Sequence, residues 1–275
     1  MDISVIITTY NQPEWLEKVL WGCAVQTFPH FEIIIADDGS GPETREAIER
    51  MRSQLPMPLR HVWHEDRGFR KCEILNRAIA AASGDYLIFL DGDCIPRRDF
   101  VDVHRRLAEP SRFVSGGHLR LPLSTSRLIT AEDIITGRAM DWRWLRAHGV
   151  PFSRRLLRLA LGPRTARLFD AVTPTRPTWN GGNSSGWRRD AIMVNGFDER
   201  MGHGGLDREF GERLENAGVR GKQARHRAIV IHLAHDRPYH SAQVLEQNRA
   251  LRRETAAERR IRTPVGLDRH LQTSA

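Results

Sequence analysis

The amino-acid sequence predicts an α/β fold with a mostly parallel central sheet flanked by helices. Three features lead there. Over the first ~95 residues, short apolar runs alternate with segments of helical period in the order β-α-β-α-β-α-β. The run at 86–90 is apolar without interruption, as a strand covered on both faces must be. Polar residues gather directly after these runs, at the carboxyl ends of strands, where such sheets bind ligands.

The elements follow in order. A first strand is expected at 4–10. Asn11 can cap the next helix and Pro13 suits its first turn, with Trp15, Leu16, Val19 and Leu20 spaced to face the sheet. A second strand at 31–36 ends in Asp37-Asp38-Gly39-Ser40, and Gly41-Pro42 opens a helix carrying Ile48 and Met51. A third, more exposed strand at 60–64 is followed by 67–70, leading into a helix through Leu75 and Ile79. The central strand ends in Asp91-Gly92-Asp93. Beyond it a helix at 100–107 and a strand at 112–117 are expected.

Residues 121–178 have the least regular pattern. Within them, 154–159 reads either as a basic amphipathic helix for a membrane surface or as a packed helix with a solvated Arg face. The glycine-rich stretch 179–186 would let backbone approach a ligand closely. A helix at 188–194, a turn at 196–199, a helix from about 206 to Gly218, a late strand at 228–231 and a charged helical tail from 243 complete the pattern. The expected organisation is one domain over 1–240. Its nucleotide-binding half is 1–95 and its acceptor half 96–240, containing the basic insert 121–178. The tail spans 241–275.

The length of 275 residues and a 40% hydrophobic fraction support a real core. No stretch approaches the roughly 20 apolar residues of a membrane span. The N-terminus runs straight into a strand pattern, without the basic and apolar regions of a signal peptide. Cys23, Cys72 and Cys94 are odd in number and show no metal-like spacing, which suits core packing in a reducing cytoplasm. The formal charge of +8 is concentrated. Between 138 and 168 eight Arg stand against one Asp, and between 249 and 262 six Arg stand against two Glu. The remainder is close to neutral or slightly acidic. No nucleic-acid-binding motif accompanies the high pI, so nucleic acid is not an expected partner. Anionic lipid at the inner membrane face, or a phosphorylated substrate, is.

Asp91 and Asp93 lie two apart in an extended chain and so point the same way. Two carboxylates side by side call for a cation between them, and a divalent ion carrying a diphosphate fits. Arg67, Arg70 and Lys71 offer further positive charge, the guanidinium being well shaped for phosphate.

Taken together in this order, the motifs resemble the inverting family 2 glycosyltransferases of the GT-A fold. The second half is similar to galactosyltransferase-like and chondroitin-polymerase-like members. The pieces are 4–10 with Asp37-Asp38-Gly39-Ser40, Gly68-Phe69-Arg70 with Asn76, Asp91-Gly92-Asp93, Asn180-Gly181-Gly182-Asn183, Gly196-Phe197-Asp198-Glu199 and Gly204-Gly205-Leu206-Asp207. They cover about residues 3–240, excluding most of 121–178.

The resemblance implies a nucleotide-sugar donor, with UDP favoured. Thr9 and Tyr10 would hold the base and Asp38 would accept from the uracil imide. Arg67, Arg70, Lys71 and Asn76 would lie along the donor, and Gly92 would sit in the turn between Asp91 and Asp93. It implies Mn2+ or Mg2+ on Asp93, with Asp91 nearer the ribose or behind the ion, and a late-strand histidine as a further ligand. His232 is preferred over His235. It implies Trp179, Asn180, Gly181, Gly182, Asn183 and Gly205 at the acceptor, a glycan or a lipid-linked molecule. Asp207 would be the base that inversion requires, with Glu209 second choice. Leu206 stands where the family usually has Glu. That departure suggests the alternative of a catalytically silent nucleotide-sugar-binding or scaffold protein of the same fold.

Overall fold

The structure is a computed structural model, and it describes residues 1–235 and 241–271. The first half builds β1 (Ile3–Thr9), α1 (Pro13–Ala24), β2 (Glu32–Asp37), α2 (Pro42–Arg52), β3 (Leu59–Trp63), α3 (Lys71–Ala81) and β4 (Tyr86–Asp91). β3, β2, β1 and β4 pair in parallel, in that order. The order turns back between β1 and β4, the switch point where parallel sheets open a crevice. Register places Thr8 beside Asp91 and Thr9 beside Asp37 there.

The second half changes the rule. It comprises β5 (Cys94–Pro96), α4 (Phe100–Leu107), β6 (Arg112–Arg120), α5 (Leu123–Leu128), α6 (Ala131–Ile135), α7 (Trp142–Ala147), α8 (Pro163–Val172), β7 (Ser184–Trp187), α9 (Arg188–Met193), α10 (Leu206–Asn216), β8 (Arg220–His232), α11 (Ala242–Ala257) and α12 (Asp268–Leu271). The sheet continues as β7-β6-β8-β5. β7 is antiparallel to β4 and β6, and β5 to β8, while β6 and β8 run parallel.

The pleat divides the core into two layers. Ile3, Val5 and Ile7 of β1 point with Ile88 and Leu90 toward α1, meeting Leu16, Val19 and Leu20. Ile6, Leu87 and Phe89 point the other way, toward Leu75 and Ile79 of α3 and Phe210 of α10. The basic insert joins the first layer through Ile129, Ile134, Leu145, Val150 and Leu156.

Several sequence expectations are corrected. Residues 154–159 form no amphipathic helix. A short 3-10 turn spans Leu156–Ala160, with Leu156 fully buried, because the leucines are needed in the core. β8 starts well before 228, and its polar first half escaped notice because apolar alternation begins only near Ala224. The glycine-rich stretch ends in strand β7, whose Ser-Ser-Gly-Trp sequence carries no apolar alternation. Asn11 does not cap α1. Its carboxamide accepts from the Gly41 amide and ties the start of α2 to the β1 end.

Candidate active site

A cleft of about 620 Å³ opens at the switch point, within the size range of small-ligand sites. Thr8, Thr9 and Tyr10 come from the end of β1, Asp38 from the turn after β2, and Asp91, Gly92 and Asp93 from the end of β4. Lys71 reaches in from α3, Gly204 to Asp207 from the start of α10, and His232 and His235 from the end of β8.

At the β2 end of the cleft, the acid pair after that strand divides its work. Asp37 is buried and spent on the turn, accepting from the Ser40 amide at 2.8 Å and facing His61 at 2.9 Å. Asp38 lines the cleft, with Oδ1 2.7 Å from His64 Nε2 and Oδ2 accepting the Arg70 amide at 3.1 Å. Tyr10 lies along the same wall and donates to Asp66 at 2.9 Å. His64 and Asp66 were missed in the sequence. His64 directly follows a parallel strand, so the strand-end rule that singled out Asp91 could have found it.

In the middle, Lys71 Nζ donates to Asp91 Oδ1 at 2.6 Å, and Thr8 donates to the same oxygen at 2.9 Å. Burial alone would push the Lys71 ammonium down, but the Asp91 and Asp207 carboxylates outweigh it and raise its pKa. Asp91 stays well below the usual carboxylate range, since Lys71 and Thr8 overcome the penalty of burial.

Asp93 faces the end of β8. His232 Nε2 lies 3.7 Å and His235 Nε2 2.9 Å from Asp93 Oδ2. His232 Nδ1 donates to the Leu233 carbonyl at 2.8 Å, so Nε2 is the ring nitrogen turned toward Asp93. A carboxylate oxygen and imidazole nitrogens converging this way fit a divalent cation that accepts both donor types, such as Mn2+. Cys94 Sγ lies in the same group but donates to Asp93 Oδ1 at 3.2 Å. Burial, followed by the charges of Asp93 and Asp91, pushes its thiol well up, so it stays protonated and serves Asp93 as a donor.

Across the cleft stands Asp207, in the first turn of α10. Burial pushes its carboxyl up to about 6, Lys71 pulling it down and Asp91 adding to the rise. The Gly181 amide also pulls it down, but without full bonding geometry. Asp207 Oδ1 has no donor in hydrogen-bonding position among the described residues. Gly204 and Gly205, at φ +99° and +88°, make the turn that starts the helix, a conformation other residues adopt at a cost. Asn248 of α11 holds that turn from outside. Its amide lies 3.0, 3.1 and 2.6 Å from the carbonyls of Gly202, His203 and Gly204.

Other expected site residues lie elsewhere. Arg67 pairs with Glu65 on the exposed surface, and Arg70 with Glu73. Neither side chain lines the cleft, because nearer carboxylates take them. Asn76 is fully buried and clamps the 196–199 turn, donating to the Phe197 carbonyl and accepting its amide. Trp179 sits in an aromatic cluster with Phe89, Phe113 and Phe210, where its large apolar area is best used. Asn183 is fully buried, donating to the Gly117 and Ala228 carbonyls.

The Asn180–Asn183 stretch therefore forms the back wall of the site rather than a face for an acceptor. Its glycines allow close approach. A Cβ on Gly181 would lie 2.6 Å from Asp207 Oδ1, and one on Gly182 2.7 Å from Asp91 Oδ2. Asn180 pairs with Ser184 and Ser115 behind the cleft, leaving Gly205 as the expected acceptor residue that lines it. Glu209 is turned from the cleft into a buried ion pair with Arg213 at 2.7 Å and cannot serve as base. Leu206 reaches the cleft wall but is rooted in the second core layer.

Comparisons with known proteins agree with this geometry. Residues 4–136 match the family model of glycosyl transferase family 2, and residues 169–236 that of the N-terminal domain of galactosyltransferase. A chondroitin synthase of Escherichia coli is 28% identical over 230 residues, covering 78% of this chain. The chain spans about a third of that relative's length, 32%. Among solved structures, the mannosyltransferase PcManGT from Pyrobaculum calidifontis, in complex with GDP-Man and Mn2+, superposes with a TM-score of 0.62 at 20% identity, covering 93% of this chain and 64% of its own. S. aureus TarS in complex with UDP-GlcNAc gives 0.61 at 18% identity, with 94% and 66% covered. Matched by the family 2 model over its first half, by the galactosyltransferase model over part of its second, and in fold along nearly its whole length, the chain resembles the family 2 glycosyltransferases and has the GT-A fold.

Proposed function

We propose that the protein transfers a sugar from a nucleotide diphosphate sugar, with UDP as the nucleotide, to a hydroxyl of a glycan or lipid-linked acceptor, with inversion at the anomeric carbon. The observation that carries this reading is Asp207. It is a carboxylate with its pKa raised to about 6, standing in the cleft wall across from Asp91 and Asp93. At neutral pH it is mostly ionised yet basic enough to take a proton, as a general base requires. The start of α10 favours its charged form.

In the reaction, the acceptor oxygen attacks the anomeric carbon while its proton passes to Asp207. The bond to the diphosphate oxygen breaks on the opposite side, and the nucleoside diphosphate leaves beside Lys71 and Asp93. Asp38 and Tyr10 hold the base. Asp93, His232 and His235 would hold Mn2+ or Mg2+, which when bound offsets negative charge on the leaving group. The Mn2+ in the PcManGT complex and the UDP-GlcNAc in the TarS complex support this assignment of cofactor and donor class. Leu206, in place of the family's usual Glu, favours a second reading, a silent nucleotide-sugar-binding protein.

The test is hydrolysis and transfer across a panel of UDP- and GDP-sugars, with and without Mn2+. Turnover with a UDP-sugar that requires Mn2+, and is lost in Asp93→Asn, supports the proposal. Binding of nucleotide without any turnover would establish the silent reading instead.

A further inference from the structure

We propose that the outward face of α8, together with the arginines beside it, seats the protein on an anionic phospholipid surface. This inference does not depend on the enzymatic reading. α8 is amphipathic but inverted. Its buried side is Ala166 and Asp170, small and charged, whereas Leu168, Val172 and Phe169 stand 61%, 62% and 44% exposed. At 100° per residue, Leu168 and Val172 fall on the edge opposite Ala166 and Asp170. A helix that only completes a core places its apolar side inward.

Positive charge flanks this edge, and more lies behind it. Arg164 and Arg167 are exposed on α8 itself. The pairing of β6 with β8 jumps from Gly116 beside Ala224 to Gly117 beside Ile229, so residues 225–228 bulge out of the ladder. The bulge brings Arg225, His226 and Arg227 to the Asp170 side of α8, behind this edge. There Asp170 accepts from the His226 amide at 2.9 Å and from Arg227 Nε at 2.7 Å. Arg158, in the 3-10 turn, lies within electrostatic reach of Arg225, Arg155 and Asp170. One engaged carboxylate thus faces a group of arginines. The other basic stretch is different, because most of its arginines meet carboxylates. Arg249 and Arg253 meet Glu246, Arg252 meets Glu212, and Arg260 meets Glu254.

An apolar edge flanked by Arg164 and Arg167, with further arginines behind it, matches the boundary between lipid head groups and acyl chains. The long Arg side chains can reach phosphate while Leu168 and Val172 enter the apolar layer. A second copy of the chain would fit poorly, since a two-fold contact would set arginines against arginines. A nucleic acid would leave the leucine and valine unpartnered.

Sedimentation of the full chain with vesicles tests this. Phosphatidylcholine alone is compared with phosphatidylcholine mixed with phosphatidylglycerol. The wild type should bind the anionic vesicles and be released by salt. Leu168→Ser/Val172→Ser should lower the affinity about tenfold or more, since each exposed apolar side chain contributes roughly a kilocalorie-scale insertion. Arg164→Gln/Arg167→Gln should erase most of the preference for anionic lipid. Both pairs lie on the surface, and unchanged thermal unfolding checks their fold. No vesicle binding, equal recovery on neutral and anionic vesicles, or full binding by Leu168→Ser/Val172→Ser would each overturn the proposal. So would a wild-type dimer by light scattering that Leu168→Ser/Val172→Ser converts to monomer.

Discussion

The two halves of the sheet hold their site residues by different means. In the parallel half, β3-β2-β1-β4, the strands end together, and each contributes its next residue to one crevice. Thr8, Thr9, Asp38 and Asp91 need little beyond strand pairing to meet. In the other half no shared edge does this. Asp207 is placed by a two-glycine turn clamped by Asn248, and it is backed by Gly181 from a stretch 26 residues earlier. His232 ends a strand whose ladder is broken by a four-residue bulge. The side proposed for the donor is thus held by the backbone ladder, and the Asp207 side by side-chain clamps. Single substitutions should therefore act differently on the two sides.

The largest expected effect is on chemistry. Asp207→Asn keeps the shape but removes the proton acceptor. We predict a fall in kcat of about 10²–10⁴ with donor affinity retained, because the proposed donor site lies in the other half. Steady-state kinetics and UDP titration check both parts. A loss of UDP affinity as large as the loss in kcat would erase the distinction between the halves.

Next comes the opposite face of the same helix. Arg213 is fully buried and donates to Glu209 and to the Val194 and Gly196 carbonyls. Arg213→Met leaves Glu209 buried with no counter-charge and only the Thr255 hydroxyl, 2.9 Å away, as a donor, and should cost about 3–5 kcal/mol in urea unfolding. Equal stability to wild type would mean that the α10 clamp carries no weight.

Asn248→Ala should cost about 1–3 kcal/mol, since three carbonyls lose a donor. It should lower kcat more than it weakens UDP binding, as Asn248 acts only through the Gly202–Gly205 turn. A matching loss in both would show that α11 supports the donor side as well.

The smallest effect is a pH dependence. The Asp207 pKa is about 6 in the fold, above the ordinary carboxylate value near 3.9. A raised pKa contributes stability that is complete below pH ~4 and lost as pH rises through ~6. In the presence of a chelator, Asp207→Asn should therefore be more stable than wild type at pH 7–8, by about 1–3 kcal/mol, and gain little near pH 4. Turnover of the wild type should rise through the same window as the base ionises. A stability difference independent of pH would place the Asp207 pKa at its ordinary value.

Residue order alone determined the parallel half and its strand-end chemistry. An uninterrupted apolar run followed by Asp91-Gly92-Asp93 marks a buried strand and the crevice at its end, because strand period and the carboxyl-end rule act over a few neighbouring residues. Asp207 was named only through the resemblance, by the motif Gly204-Gly205-Leu206-Asp207. Tertiary structure alone decided the rest. Trp179 and Asn183 share a motif with Gly181 and Gly182, yet the first pair went to the core and the second to the backs of the carboxylates. Arg67 and Arg70 were drawn to Glu65 and Glu73, and Glu209 to Arg213. The inverted face of α8 emerged only once the 225–228 bulge had met Asp170. In each case the outcome was a competition among partners distant in sequence for a buried place or a counter-charge, and such a competition is settled only when the chain is packed.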